Sequence, residues 1–242
     1  MGIYIAMWSG PRNISTALMR SFENRSDTAV VDEPFYAHYL KKTGINHPGK
    51  EKIILSQSTD WNRVAKMCVG EIPGNKPIWY QKHMAQHNLE DCDLSWIHNV
   101  INCLLIRDPK FVIPSYGKRF KIDDERLLGF VQQLELLNII EQETGQVPPI
   151  IDSQDILKNP RCALKKLCEK IGIPYLDTML QWESGKRESD GVWAPYWYNE
   201  VERSTGFKPY VKKDLVIEKS LISIYKKCKA HYNILWEKRI RI

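Results

Sequence analysis

Residues 3–22 read IYIAMWSGPRNISTALMRSF, and this stretch decides the fold class. Residues 3–7 form a short apolar run, which predicts a buried strand. Residues 8–13 are more polar and contain Gly10 and Pro11, which predict a loop. Residues 14–22 then place apolar side chains at three- and four-residue spacing, which predicts a helix. The chain therefore begins as strand, loop and helix.

The same alternation continues along the chain. Further strands are predicted over residues 30–31, 77–80, 102–106 and 147–151. Helical periodicity and end signals predict helices over residues 124–144, from Pro160 to the stop at Gly172, and over about 213–236. This pattern predicts an α/β fold, a three-layer sandwich with a central, mainly parallel sheet of about five strands flanked by helices. A ligand site is expected beyond the carboxyl ends of the strands.

Length and composition narrow the class of protein. The 242 residues suit a single domain, residues 1–242. No apolar run reaches the roughly 18 residues of a membrane span, and the first residues lack a basic leader, so a cytoplasmic protein is expected. The six cysteines show no CxxC spacing, which predicts reduced thiols and no metal site. The net charge of +6 is moderate, and no nucleic-acid or membrane partner is expected.

The first loop has the properties of a phosphate-binding loop. Backbone N–H groups, the start of a helix, the hydroxyls of Ser15 and Thr16 and the guanidinium of Arg12 fall where α/β proteins hold phosphate. The loop is not a Walker motif. If Gly10 is aligned with the first glycine of GxxxxGK[ST], Ser15 and Thr16 occupy the positions that need glycine and lysine. An ordinary NTPase or kinase is therefore disfavoured.

Three separated motifs resemble those of the sulfotransferase family, whose members move a sulfuryl group from 3′-phosphoadenosine-5′-phosphosulfate (PAPS). The family loop P-[KR]-x-G-[ST]-T, which wraps the 5′-phosphosulfate, is similar to Pro11, Arg12, Asn13, Ile14, Ser15 and Thr16, with Ile14 where glycine is usual. The family segment R-[DN]-P-x-x-x-x-x-S, which holds the 3′-phosphate, is matched by Arg107, Asp108, Pro109 and Ser115. A third likeness is residues 150–157 followed by Asn159, Pro160 and the helix that ends at Gly172.

The resemblance implies a P-loop-like fold and direct in-line transfer from PAPS to a hydroxyl or amine, with adenosine 3′,5′-bisphosphate (PAP) as product and no metal. It also implies that Arg107 and Ser115 bind the donor. This fits their chemistry, because an arginine binds a phosphate bidentately and a hydroxyl two helical turns on lies on the same face. Lys82 resembles the family lysine that approaches the sulfuryl oxygens, and Arg12 shares that role.

Two residues are candidates for the general base. Some family branches use a glutamate soon after the phosphate loop, as Glu33 is here, and others use a histidine close to the lysine, as His83 is here. Glu33 is favoured, because neighbouring side chains of a strand point to opposite faces and His83 would then point away from the side of Lys82. His38 and His87 are further possibilities.

Residues 182–210 show weak periodicity and are predicted to form a long functional loop that acts as a lid. Within it Trp193 resembles the late family segment that closes over the donor, so Lys186 and Arg187 are candidate contacts of the 3′-phosphate. In an alternative interpretation, the loop's aromatic side chains line the pocket for a small-molecule acceptor.

Two other functions remain compatible with the sequence. One is an ATP-dependent small-molecule kinase on a degenerate phosphate loop, which would require Mg²⁺. The other is a non-catalytic nucleotide-binding protein, in which Arg12, Arg107 and Ser115 keep their roles and Glu33 and Lys82 are dispensable.

Overall fold

A computed structural model describes residues 2–212 and 214–242. Their strands are β1 Ile3–Ser9, β2 Thr28–Asp32, β3 Ile78–Met84, β4 Ile101–Ile106 and β5 Ile150–Asp152. These strands form one sheet in the order β2-β3-β1-β4-β5, and every neighbouring pair is parallel. The predicted α/β fold with a parallel sheet of five strands is confirmed.

Helices connect the strands and cover both faces of the sheet. The α-helices are α1 Ser15–Glu23, α2 Tyr36–Thr43, α3 Lys50–Ser56, α4 Trp61–Cys68, α5 Pro109–Gly117, α6 Phe130–Thr144, α7 Ser153–Lys158, α8 Pro160–Ile171, α9 Ala194–Trp197, α10 Asn199–Glu202 and α11 Ile222–Glu237. Short 3-10 helices occupy Pro73–Asn75, Ala85–His87, Ser95–Asn99, Glu125–Leu128, Asp177–Leu180 and Lys219–Leu221.

The side chains of β1 alternate between two hydrophobic cores. Ala6 and Trp8 pack on one face with α4, α6 and α11. Ile5 and Met7 pack on the other face with α1 and α8. All four side chains are fully buried, and burial of a large apolar side chain contributes roughly 1.5–3 kcal/mol. A third, smaller core joins α2 and α3 to the segment that contains Trp193 and Tyr198.

The strand β3 is longer than the sequence predicts. It continues through Gln81, Lys82 and His83 to Met84, and all of these side chains are buried. The sequence prediction ended this strand where polar residues begin, because buried polar side chains are uncommon. Here Gln81 and Lys82 have hydrogen-bond partners. Gln81, for example, donates from Nε2 to the backbone O of Cys68 over 2.6 Å.

Other boundaries also differ from the prediction. Gly129, with φ of +76°, separates the 3-10 helix Glu125–Leu128 from α6, so the predicted helix over 124–144 is two elements. β5 begins at Ile150 rather than at 147. The last predicted helix was to begin at 213, which lies outside the described residues, and α11 begins at Ile222. Helices α2, α3 and α4 were not predicted.

The prediction for α8 is confirmed at both ends. The Asn159 side chain accepts a hydrogen bond from the backbone N of Cys162 over 3.2 Å, as an N-cap residue does. Pro160 occupies the first position, where its missing N–H costs nothing. Gly172 ends the helix with φ of +82°, a left-handed conformation that glycine adopts without strain.

We expect Gly10→Ala to lower the free energy of unfolding by about 1–3 kcal/mol, because the loop after β1 has no space for a methyl group. A Cβ at Gly10 would lie 2.5 Å from the backbone O of Leu128. Gly117→Ala is the matched control, since its Cβ would meet Ile122 Cδ1 at an ordinary 3.7 Å. Urea unfolding measures both variants. If Gly10→Ala is as stable as the wild type, the close approach of Gly10 to Leu128 does not constrain this position.

Candidate active site

A cavity of about 870 Å³ lies at the carboxyl ends of the strands. Each strand contributes to its wall through its last residues or the loop that follows it. The contributing residues include 11–17 after β1, Glu33 after β2, Met84 at the end of β3, Arg107 after β4 and Asp152 at the end of β5. This is the position at which open parallel sheets bind ligands. The site that the topology predicts is therefore present as a cavity.

The loop between β1 and α1 is held in shape by Asn13. Its Nδ2 donates to the backbone O of Leu105 over 3.0 Å, which ties the loop to β4. Its Oδ1 accepts from the backbone N of Ile14 over 2.9 Å. Arg12 lies in the left-handed region with φ of +56°, a conformation that non-glycine residues rarely adopt. The side chain of Asn13 thus fixes the path of the loop.

The start of α1 faces the cavity. Ser15, Thr16 and Ala17 line it, and no side chain caps the first turn of this nine-residue helix. The N–H groups of a first turn have no partner within their own helix, and they form the positive end of the helix dipole. This end of the cavity can therefore bind an anion through backbone groups.

Arg12, Arg107 and Ser115 meet at the same end of the cavity. Arg12 donates from Nε to Ser115 Oγ over 3.0 Å, and Arg107 donates from Nη1 to the backbone O of Arg12 over 2.6 Å. The eight-residue step from Arg107 to Ser115 thus does place the two residues in one cluster, with Arg12 between them. Arg12, Arg107 and Ser115 all line the cavity.

The two guanidinium groups of this cluster carry closely spaced positive charge. Within the described part of the chain, neither Arg12 nor Arg107 forms an ion pair, and Asp108 pairs with Lys229 over 2.5 Å instead. Burial lowers the pKa of Arg12 below its usual value, and repulsion from Arg119 adds to this effect. Burial and the charge of Arg12 likewise lower the pKa of Arg107, and the charge of Asp152 opposes this effect in part. Crowded positive charge of this kind favours an anionic ligand.

Lys82 also lines the cavity and lies in a buried cluster of charges. Its Nζ donates to Asp32 Oδ1 over 2.8 Å, to Glu33 Oε1 over 2.5 Å and to Tyr198 Oη over 2.9 Å. Burial alone would lower the pKa of Lys82, but the attraction of Asp32 and Glu33 outweighs it and raises the pKa well above its usual value. The acceptors around Lys82 therefore favour its charged form, although its side chain is buried.

Glu33 follows β2 in a strained conformation. Its φ is +40°, and its backbone N donates to the backbone O of Lys82 over 2.9 Å. Burial raises the pKa of this carboxyl above its usual value; the attraction of Lys82 opposes the rise and the charge of Asp32 adds to it. Backbone strain of this kind is concentrated at functional sites. The strain turns the Glu33 side chain to the cavity, while Asp32 does not line it.

His83 lies on the opposite side of β3 from Lys82. Its ring stacks on Trp8 with centroids 4.3 Å apart, and its Nε2 lies 3.1 Å from Gln81 Oε1. It does not line the cavity. Burial lowers the pKa of His83 to about 3, and the charge of Lys82 adds to this effect. The alternation expected from the sequence is thus present, and the structure does not bring His83 to Lys82 and Glu33.

His87, not His83, is the histidine beside Glu33. Its Nε2 lies 4.0 Å from Glu33 Oε2, and its ring stacks between Tyr36 and Tyr39 with centroid distances of 4.9 and 4.7 Å. Burial lowers the pKa of His87 well below its usual value, which favours the neutral ring. His38 lies elsewhere, with Nδ1 2.9 Å from the backbone O of Thr59.

Part of the segment over 182–210 lines the cavity, including the aromatic residues Trp197 and Tyr198, whereas the residues predicted to contact the donor do not. Lys186, Arg187 and Trp193 do not line the cavity. Arg187 pairs with Glu23 over 3.7 Å, and Trp193 is buried and donates from Nε1 to Tyr198 Oη over 3.1 Å. The cavity wall is formed instead by residues 197–198, 200–201, 204 and 206–211.

No group of three or more His, Cys, Asp or Glu side chains in residues 2–212 and 214–242 is arranged to hold a metal ion. Over the same residues, every helix is too short or too polar to cross a membrane.

A protein-family profile described as "Sulfotransferase domain" matches residues 3–231 of this chain. Two curated proteins of Arabidopsis thaliana, Branched-chain-amino-acid aminotransferase-like proteins 2 and 1, are each 34% identical to it over 234 residues. The alignments cover 96% of this chain and 41% of each relative. The chain thus spans about two fifths of the length of these relatives.

Two solved structures share the fold. One is the sulfotransferase domain from the Synechococcus PCC 7002 olefin synthase, with a TM-score of 0.57 and 12% identity over 93% of this chain and 94% of that one. The other is a sulfotransferase from Alicyclobacillus acidocaldarius, with a TM-score of 0.54 and 11% identity over 100% of this chain and 98% of that one. At these low sequence identities, the similarity shows a shared fold and nothing more.

We expect Lys82→Met to lower the free energy of unfolding at pH 8 by about 3–5 kcal/mol, because Asp32 and Glu33 lose their buried cation. The pKa of Glu33 is already above its unfolded value and rises further in the variant. The loss of stability in the variant therefore reaches its full size at pH values above the pKa of Glu33 in the folded variant. It becomes smaller as the pH falls through that pKa and the carboxyl binds a proton.

Urea unfolding at several pH values between 5 and 8 measures this effect. Lys66→Met is the control, because Lys66 is exposed and its replacement should change little at any pH. A loss of stability in Lys82→Met that does not vary with pH would contradict the role of Lys82 as the cation of this cluster.

Proposed function

The chain belongs to the sulfotransferase family, and we propose that it transfers the sulfuryl group of PAPS to a hydroxyl or amine of a small acceptor. The observation that carries the proposal is the pair of guanidinium groups of Arg12 and Arg107, which form no ion pair within the described residues and lie beside the start of α1 in one cavity. The donor has phosphate at both its 5′ and 3′ positions, and this end of the cavity offers two cationic centres.

The side chains present fit the two ends of such a donor. Arg12, Ser15, Thr16 and the N–H groups of α1 suit the 5′-phosphosulfate, because a helix start and a guanidinium both bind oxyanions. Arg107 and Ser115 suit the 3′-phosphate. Ser115 Oγ accepts its hydrogen bond from Arg12, which leaves its own hydroxyl hydrogen to donate to a phosphate oxygen. The cavity volume of about 870 Å³ leaves space for an acceptor as well.

The chemistry that we propose depends on Glu33 and Lys82, which also line the cavity. Bound PAPS supplies an activated sulfuryl group whose leaving group is the 5′-phosphate. Glu33 accepts the proton of the acceptor as the acceptor atom bonds to sulfur and the bond from sulfur to the bridging oxygen breaks, its electron pair remaining on the phosphate. Lys82 and Arg12 stabilise the charge that develops on these oxygens.

We assign the role of general base to Glu33 for two reasons, its position in the cavity and the direction of its pKa shift. Glu33 lines the cavity beside Lys82, whereas His83 is on the other side of β3. A base works best when its pKa approaches the working pH, and burial shifts the pKa of Glu33 in that direction.

We expect Arg107→Ala to weaken binding of PAP by roughly 10- to 100-fold, because a charge-assisted hydrogen bond contributes about 1.5–3 kcal/mol. Calorimetric titration with PAP, AMP and Mg-ATP measures this on the wild type and the variant. Ser115→Ala should show a smaller loss. Arg187→Ala is the control, since Arg187 does not line the cavity and PAP affinity should be unchanged. A preference of the wild type for Mg-ATP would support the kinase alternative instead.

We expect Glu33→Gln to lower kcat by roughly 10²–10⁴, the usual contribution of a general base, while PAP affinity stays within about threefold of wild type. Sulfuryl transfer from labelled PAPS to a panel of small alcohols, phenols and amines measures the turnover. Glu71→Gln, at an exposed position, is the control. Normal turnover of Glu33→Gln would exclude Glu33 as the base.

A further inference from the structure

Lys82 has no hydrogen left for a ligand. An ammonium group carries three N–H donors. In this structure Asp32, Glu33 and Tyr198 accept one each, at 2.8, 2.5 and 2.9 Å. An oxyanion can therefore form a direct hydrogen bond to Lys82 only if one of the three present acceptors is displaced.

Asp32 and Tyr198 are held too firmly to be the acceptor that leaves. Tyr198 Oη donates to Asp32 Oδ2 over 2.6 Å and also accepts from Trp193 Nε1 over 3.1 Å. Asp32 Oδ2 accepts a further, longer hydrogen bond of 3.4 Å from the backbone N of Gly191. Both side chains are buried, and Asp32 does not reach the cavity. Displacing either one would leave buried polar atoms unsatisfied, which is costly.

Glu33 is held more weakly. Lys82 donates to its Oε1, while its Oε2 has His87 Nε2 at 4.0 Å, beyond hydrogen-bond distance. The carboxylate of Glu33 also lines the cavity, where an arriving ligand meets it. Of the three acceptors, Glu33 is thus the one that loses least when Lys82 turns to another anion.

We propose that Asp32 and Tyr198 are positioning residues that hold Lys82 while it exchanges its hydrogen bond to Glu33 for one to the terminal oxyanion of the sulfuryl donor. The exchange releases the Glu33 carboxylate, which is then free to accept the proton of the acceptor. This inference rests on the proposed function. The exchange makes the Glu33 carboxylate available as a base only after the donor has bound. Lys82 keeps three hydrogen bonds throughout, and no covalent bond changes in the exchange.

The exchange has a consequence for proton binding. Once Lys82 turns away and an anion takes its place, the charged form of Glu33 loses its nearest cation and gains a neighbouring negative charge. The proton affinity of Glu33 must then rise, and in the absence of an acceptor molecule Glu33 takes a proton from solvent. The titratable groups that face Glu33 are Asp32 from β2, Tyr36 from α2, Lys82 from β3, His87 from the following 3-10 helix and Tyr198 from the segment after α9.

Proton uptake on donor binding tests the exchange. PAPS is titrated without acceptor at pH 6.5 in two buffers of different ionisation enthalpy, and the number of protons bound is taken from the difference in heat. We expect wild type to take up more protons per donor bound than Glu33→Gln, which cannot bind one at this position. The difference between the two proteins removes the contribution of the donor's own phosphate.

The outcomes separate this inference from the proposed function. If PAPS binds and proton uptake is the same for wild type and Glu33→Gln, Lys82 does not release Glu33 and the exchange is excluded. If PAPS does not bind to wild type at all, the proposed function itself is wrong.

Tyr198→Phe tests the positioning role, because it keeps the buried ring and removes the hydroxyl. We expect kcat to fall at least about tenfold, because the hydroxyl's hydrogen bonds with Asp32, Lys82 and Trp193 are all lost, while the KM for PAPS changes little. Tyr196→Phe is the matched control, as Tyr196 lies in the neighbouring helix α9 and does not line the cavity. Unchanged kcat in Tyr198→Phe, or an equal loss of donor affinity, would contradict a role in holding Lys82.

Discussion

The buried bond between Lys82 and Asp32 is the interaction on which the arrangement of the cavity depends. Transferring an ammonium group out of water costs several kcal/mol, and a buried lysine is tolerated only with well-placed acceptors. Asp32 ends β2 and Lys82 lies near the end of β3, so their bond fixes the register of these two strands at the edge where the cavity opens. The strained backbone of Glu33 follows directly from this register, because its N–H continues the pairing with Lys82.

The same ion pair also holds the segment over 193–202, which consists mainly of the short helices α9 and α10. Its attachment to the sheet is the hydroxyl of Tyr198, which bonds to both Asp32 and Lys82, and Trp193 bonds to that hydroxyl in turn. This segment is also held by its small apolar core and by a hydrogen bond from Arg119 to the backbone O of Tyr196. This side of the cavity is therefore positioned in part by polar contacts with residues more than a hundred positions earlier in the chain.

This long separation explains which features the sequence could predict. The β1-loop-α1 unit and α8 depend on local signals, such as apolar spacing, the Asn159 cap and the Gly172 stop, and local signals can be interpreted without the fold. The meeting of Arg12, Arg107 and Ser115 required only that parallel strands end at one edge. In contrast, the continuation of β3 through Lys82 and His83 depends on partners from distant segments, and the contacts of Trp193 and Arg187 depend on a loop without periodicity. No pattern within the sequence encodes such contacts.

The cationic groups of the cavity differ in their partners: Lys82 is paired with carboxylates, whereas Arg12 and Arg107 form no ion pair within the described residues. Arg12 and Arg107 lack carboxylate partners within the described residues, so an anion that binds there removes repulsion between them and gains affinity. Lys82 is already neutralised by Asp32 and Glu33 and would add little affinity to an anion that binds tightly elsewhere. Because the hydrogen bond to Glu33 is given up in return, the contact that Lys82 gains in the proposed exchange adds little net affinity for the donor. An exchange that gains about as much as it loses assists the reaction by freeing the Glu33 carboxylate, and so contributes to rate rather than to binding.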